Sequence, residues 1–172
     1  MLISGLRYRY QDPESTMTLR EGLAEYKAAN PELVEAESFD NPKTGELFAC
    51  HDPCHVVFGT NTDIVQEGMT DMWTIFGSSV GFKAYLAYAK EDATKDVLRD
   101  IMKQFTWWQI TRDMFRSLPY FWKVWRRSKK MTKPWDFYGW RDYLDTPLDE
   151  IRRIHGIELI DPPAIRATPA MP

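Results

Sequence analysis

Apolar residues recur along most of this chain at three- and four-residue intervals, the period of an α-helix, and strand-like alternation is missing. Thr18, with Glu21 three residues on, has the form of a capping box, in which a hydroxyl and a carboxylate satisfy the free amides of a helix start. Leu19, Leu23 and Tyr26 then share a face until Asn30 and Pro31 stop the run. A turn-rich loop is predicted over 38–45, then a helix over about 46–58, closed by Gly59 as a left-handed cap. The next pattern opens near 60–62 and reaches about Phe76, with Val65, Met69, Met72 and Phe76 along one side. After a break at 77–81, Phe82, Tyr85, Leu86 and Ala89 open a short helix. The longest pattern begins near Asp92, aligns Val97, Ile101, Phe105 and Trp108, and reaches Ser117; Pro119 either kinks it or starts a new helix. Thr146 as cap, Pro147 at the first helical position and acids at 149 and 150 predict a last helix, ended by Gly156. The expected fold is all-α: a single domain over 1–172, a bundle of about six or seven helices, with extended tails at 1–15 and 161–172.

A length of 172 residues suits one domain around one core, and 44% hydrophobic against 27% charged residues describes a globular chain. Aromatic residues are dense: seven Trp, eight Tyr and nine Phe. That excess points either to a ring-rich core or to apolar surface kept for a ligand groove or a membrane. The net charge of −3 is unevenly spread. Seven basic residues and no acid fall between Arg116 and Lys133; removing these seven from 22 leaves 15 against 25 acids, a balance of −10 elsewhere. In that basic stretch Tyr120, Phe121, Trp122 and Trp125 interleave with cations, as suits a helix lying on anionic lipid. Trp122, Lys123, Trp125, Arg126 and Arg127 are the candidate membrane-facing residues, and a solvated face over buried rings is the plainer alternative. No nucleic-acid-binding motif accompanies the charge, so no nucleic-acid partner is expected. No apolar run approaches the ~20 residues needed to span a bilayer. The first ten residues hold neither a signal-peptide core nor an amphipathic presequence, and the expected location is the bacterial cytoplasm.

The candidate chemistry lies at 51–67. His51 and His55 are one helical turn apart and share a face, with Asp52 at its edge. His55 precedes the Gly59 corner by about 6 Å of helix rise, and Glu67 follows a cap at Thr62 by about 7.5 Å. Antiparallel packing of the two helices would set His55 and Glu67 at one level, so that two imidazoles and two carboxylates could converge on a single divalent ion. Periodicity taken alone argues otherwise for Glu67. It falls among Asp63, Thr70, Asp71 and Thr74, opposite the apolar side of its helix, on what reads as a solvated face. Cys50 and Cys54, the only cysteines, close too small a loop to staple a fold. Cys-x-x-x-Cys-His is one residue longer than the spacing of haem attachment; thiolate ligation of zinc and simple packing as small apolar residues are the other readings.

His51-Asp52-x-x-His55, eleven residues and then Glu67 resembles the signature of the coenzyme Q biosynthesis protein four family, and Gly59 with the Thr-rich turn after it fits the same run. The segment from Leu148 to Pro163 is similar to that family's C-terminal end, and the likeness covers roughly residues 18–163. Pro53 and Cys54 depart from it, standing where members usually carry apolar residues. A proline here favours a helix beginning at Asp52 as its cap, which would leave His51 outside the helix. The absence of a mitochondrial presequence separates the chain from eukaryotic members.

The resemblance implies a divalent metal (zinc, iron, manganese or magnesium) held by His51, Asp52, His55 and Glu67, with Glu67 or Asp52 acting as a catalytic base beside it or as ligand. It further implies a role in ubiquinone synthesis: metal-dependent oxidative decarboxylation of a polyprenylated hydroxybenzoate, a carboxyl giving way to a hydroxyl at ring carbon one. The prenyl tail would need an apolar channel, for which Met69, Met72, Trp73, Phe76, Phe105 and Trp108, with Trp107, are candidates; ordinary core packing is the alternative. Implied partners are the polyprenyl quinone precursor, a membrane surface, a second copy of the chain and other quinone-biosynthesis enzymes. The protein would sit peripherally on the inner face of the plasma membrane. A non-catalytic prenyl-lipid-binding scaffold and a metal-dependent hydrolase of water-soluble substrates are the competing functions.

Overall fold

A computed structural model describes residues 8–31, 33, 41–89 and 107–161. The described residues form six α-helices: α1 (Leu19–Ala29), α2 (Pro42–Phe58), α3 (Ile64–Gly77), α4 (Gly81–Ala89), α5 (Trp107–Ser128) and α6 (Leu148–His155). Two 3-10 turns, Arg9–Gln11 and Trp140–Tyr143, join them, and there is no strand among the described residues. The all-α architecture is the expected one.

Local chemistry sets most boundaries. At α1 the Thr18 hydroxyl accepts from the Glu21 amide at 3.2 Å while the Glu21 carboxylate accepts from the Thr18 amide at 2.8 Å. Helix α2 starts four residues before its predicted position. The Asn41 side chain accepts from the Lys43 amide at 3.0 Å and Pro42 occupies the first helical position, so residues that read as a loop are a helix N-terminus. At the last helix Pro147, not Thr146, is the cap.

Helix α2 continues through Pro53 to Phe58, and Gly59 closes it at φ +67°. A mid-helix proline forfeits one hydrogen bond and costs about 3 kcal/mol in an isolated helix. Here residues 53–60 are all buried, so tertiary packing sustains the helix through that loss. The consequence is functional: no helix begins at Asp52, and His51 stays on the helix with His55. Helix α5 likewise runs through Pro119 without ending.

The core gathers Tyr10, Leu19, Tyr26, Val56, Phe58, Met69, Trp73 and Ile151 around α2. Tyr10 lies in the stretch expected as an extended tail, yet it is fully buried and its hydroxyl donates to the Thr60 carbonyl at 3.0 Å. The rest of both expected tails, and the pattern over 92–105 with Phe105, lie outside the described residues. Buried Arg152 ties these layers together. Its guanidinium donates to the carbonyls of Val56 and Val57 at the end of α2, both at 3.0 Å, and to those of Tyr10 and Asp12. Cation and orphan helix-end carbonyls satisfy each other there. Helix α5 rests on α3 where Gly68 lets the Phe121 ring approach; a Cβ at that glycine would lie 2.9 Å from it.

Candidate metal centre

The corner between α2 and α3 determines what meets across it. Gln66 accepts at its side-chain oxygen from the Asn61 amide at 2.9 Å and from Gln11 at 3.2 Å. Asn30 donates to the Asn61 side chain at 2.8 Å and accepts from the Thr62 hydroxyl at 2.8 Å. Asp63, not Thr62, caps α3, accepting from the Gln66 amide at 3.3 Å. These polar groups lock the corner in one conformation, and with it the register of the two helices.

That register brings three donors together. One ligand-type atom each from His51, His55 and Glu67 lies within 4.8 Å of the other two. The His55 Nε2 atom is 3.4 Å from Glu67 Oε2. Two ligands of one tetrahedral zinc, each at about 2.0–2.2 Å, stand roughly 3.5 Å apart. The His55 side chain is 2% exposed and that of Glu67 42%, so the imidazoles form the floor and the carboxylate the rim.

The His55 ring is held by its other nitrogen. Thr70 Oγ1 is 3.1 Å from Nδ1 and donates its single proton to the Gln66 carbonyl at 2.9 Å, while Thr60 Oγ1 lies 2.6 Å from Thr70 Oγ1. In the Nδ1–H tautomer the Thr70 oxygen accepts from the ring, and Nε2 presents a lone pair toward Glu67 Oε2 at 3.4 Å, as a metal ligand requires; a proton on Nε2 closes the same gap as an ion pair. Tyr26 stacks on the ring at 5.0 Å and His51 meets it edge-on at 4.9 Å, so the orientation is fixed from three directions.

His51 is set by a second carboxylate. Its Nε2 lies 3.4 Å from Asp71 Oδ1, yet this buried atom has no aligned hydrogen-bond partner. Asp71 in turn accepts from the Tyr85 hydroxyl of α4. Burial pushes the His51 pKa down, but Asp71, Glu67 and Asp52 more than reverse this and raise it to about 9. Burial pushes the Glu67 carboxyl up, and the imidazoles, His55 foremost, hold it below its ordinary value.

Three convergent donors in a nitrogen–oxygen set fit a divalent ion such as zinc, iron or manganese. Asp52 stands outside the convergent group and acts on it through its charge beside His51. Asp71, Thr60, Thr70, Tyr26 and Tyr85 were not singled out from the sequence. The helical pattern puts Asp71, Thr70 and Thr74 on a solvated face with Glu67; Thr70 and Thr74 are instead fully buried, because this polar side of α3 turns toward the imidazoles of α2.

The cysteines belong to the adjacent face. Both are buried and free, and burial pushes the Cys50 thiol up to about 11 and Cys54 up as well, so they pack as small protonated side chains. The candidate lipid-lining residues do not share one surface. Met69 and Trp73 are fully buried, Trp73 stacked on Phe58 at 4.7 Å; Met72 is partly buried, whereas Phe76 and Trp108 are exposed. Of the membrane-facing candidates, Trp122, Lys123, Trp125 and Arg126 are exposed, while Arg127 donates to the Glu158 carbonyl at 2.9 Å.

In comparisons with known proteins, no protein-family model, no curated protein and no solved structure matches this chain. The resemblance to the coenzyme Q biosynthesis protein four family therefore rests on the residues at 51–67 and 148–163 themselves. Among the described residues no helix is long and apolar enough to cross a membrane.

Proposed function

We propose that His51, His55 and Glu67 bind one divalent metal ion, and that the protein uses it in oxidative decarboxylation of a polyprenylated hydroxybenzoate at a membrane surface, within ubiquinone synthesis. The observation that carries the metal reading is the convergence of His51, His55 and Glu67, with His55 Nε2 3.4 Å from Glu67 Oε2 and its Nδ1 side occupied by Thr70. The motif likeness carries the choice of substrate.

In this reading Thr70 and Tyr26 orient His55, while Asp71, steadied by Tyr85, faces His51. A bound divalent ion supplies Lewis acidity toward a substrate carboxylate. With Glu67 on the metal, Asp71 at the half-exposed rim would accept a proton from a ring hydroxyl, and Asp52 adds negative charge beside His51. The net change at the ring carbon, loss of carbon dioxide and entry of hydroxyl, is a two-electron oxidation; with water supplying the hydroxyl oxygen and dioxygen as the oxidant, it balances by forming one hydrogen peroxide.

Elemental analysis tests the first half. Purified wild-type protein is expected to hold about one divalent ion per chain and His55→Ala close to none; equal metal in both would end the proposal. Carboxyl-labelled polyprenyl hydroxybenzoate tests the second half. Metal-dependent release of labelled carbon dioxide supports the enzyme, whereas tight lipid binding without turnover in the metal-loaded protein marks a scaffold.

A further inference from the structure

Among the described residues eight large apolar side chains are exposed, and five of them lie on α5: Trp108, Phe115, Leu118, Trp122 and Trp125. Their spacings of seven, three, four and three residues place them in one stripe along the helix. The opposite face is occupied. Ser117, Val124 and Ser128 are buried, and Phe121 meets α3 at Gly68. Helix α5 is thus amphipathic twice over, with a narrow inner face on α3 and a larger apolar face outside. A contiguous exposed stripe of three indoles and rings is far from the scattered apolar residues of an ordinary surface.

Its charge identifies the occupant. Arg112, Arg116, Lys123, Arg126 and Lys130 are exposed along one edge of the stripe. Between Arg116 and Lys133 there are seven cations and no acid, in a chain whose remaining residues carry −10. A second copy pairing stripe to stripe with its helix antiparallel would set these cationic edges against each other. The five cations within the helix itself (Arg112, Arg116, Lys123, Arg126 and Arg127) forbid its burial across a bilayer. Indoles at the headgroup level with cations beside them describe a helix lying in the plane of an anionic membrane. The Trp122 and Trp125 rings, stacked at 4.8 Å, form a ready wedge.

We infer that the outer face of α5 docks in-plane on an anionic lipid bilayer, with Trp108, Phe115, Leu118, Trp122 and Trp125 entering the headgroup region and the flanking Arg and Lys pairing with lipid phosphates. This deepens the membrane reading above and stands on residues separate from the metal centre. It also gives that centre its setting, because α5 rests on the helix that carries Glu67.

Vesicle flotation with the full chain tests it, using phosphatidylcholine vesicles with and without about one-third phosphatidylglycerol. Binding is expected only to the anionic vesicles, with a blue shift of Trp fluorescence and with release by salt on the order of 0.5 M. The double variant Phe115→Ser, Trp122→Ser is expected to weaken binding at least tenfold, and Lys123→Glu with Arg126→Glu by a similar factor, with unchanged circular dichroism because all four side chains are exposed. No binding to anionic vesicles, or equal binding by the double variants, overturns the inference. So does a concentration-dependent dimer that Phe115→Ser, Trp122→Ser dissolves without any vesicle binding, which would hand the stripe to a second copy. His55→Ala is expected to float like wild type, so failure here and failure of the metal reading are distinguishable.

Discussion

Two histidines of this protein carry a buried Nε2 atom without a hydrogen-bond partner, and they could hardly differ more in use. His155 ends α6 against the rings of Trp135 at 5.4 Å and Tyr143 at 5.6 Å, with Nδ1 3.0 Å from the Pro134 carbonyl. His51 sits in the α2–α3 seam with Asp71, Glu67 and Asp52 around it. Burial pushes the His155 pKa down and Lys133 adds to this, with Asp136 opposing only in part. At His51 the carboxylates overcome burial and push the pKa up. An orphaned imidazole nitrogen is therefore no sign of a metal site in itself. What decides is whether carboxylates or aromatic carbon stand beyond it.

The strongest way to break this comparison is through the glycine corners behind the two regions. Gly59 and Gly156 both hold φ +67°. A Cβ at Gly156 would come 2.9 Å from the Thr132 backbone nitrogen, which is engaged with the His155 carbonyl at 2.9 Å, whereas one at Gly59 would meet only the tip of Leu159. Gly156→Ala should cost about 2–4 kcal/mol in urea unfolding and Gly59→Ala about 1–2 kcal/mol. The reverse ranking would mean that the His155 pocket is not the rigidly packed one.

A sharper cut, of somewhat smaller size, separates ring packing from ring orientation. Thr70→Val removes the oxygen that accepts from His55 Nδ1 while keeping the volume. Zinc affinity should fall roughly 10- to 100-fold, as for other partners that orient metal-binding histidines. His155→Gln should leave it unchanged. Wild-type affinity in the threonine variant would show that the Thr70 contact does not prepare His55.

The smallest effect is the pH dependence of the metal-free protein. His51 has a folded pKa of about 9, above the ordinary 6.5. Its contribution to stability is full below 6.5 and fades as pH rises through 9. His155 is shifted the other way; its contribution is full above 6.5 and is lost as pH falls below that value. Unfolding free energies of His51→Gln and His155→Gln, each set against wild type over pH 5–10 with chelator present, should diverge at opposite ends of the range, by on the order of 1 kcal/mol. Slopes of the same sign would undo the contrast.

Local signals along the chain were sufficient for the architecture. The Thr18 and Glu21 box, the glycines at 59 and 156 and the break at 77–81 act within a few residues of themselves, and each stands as read. The pairing of His55 with Glu67 was also legible, because distance from a shared corner is a property of helix rise alone. The Asn41 and Pro42 start was misread for an equally local reason: the same two residues suit a turn and a helix entrance.

The remainder was decided by what packs against what. Nothing near Pro53 states that residues 53–60 will be enclosed on all sides, yet that enclosure keeps α2 whole and His51 on it. A polar stripe on α3 looks solvated until two imidazoles are set opposite; then Thr70 becomes buried and Asp71 becomes part of the site. The rings of α5 suit either a membrane or a core in the sequence; Ser117, Val124 and Ser128 fill the inner face and leave the large rings outside. Residue sequence dictates hydrogen bonds and turns across one or two helical steps, whereas the burial that chooses which face of a helix meets water depends on partners tens of residues away.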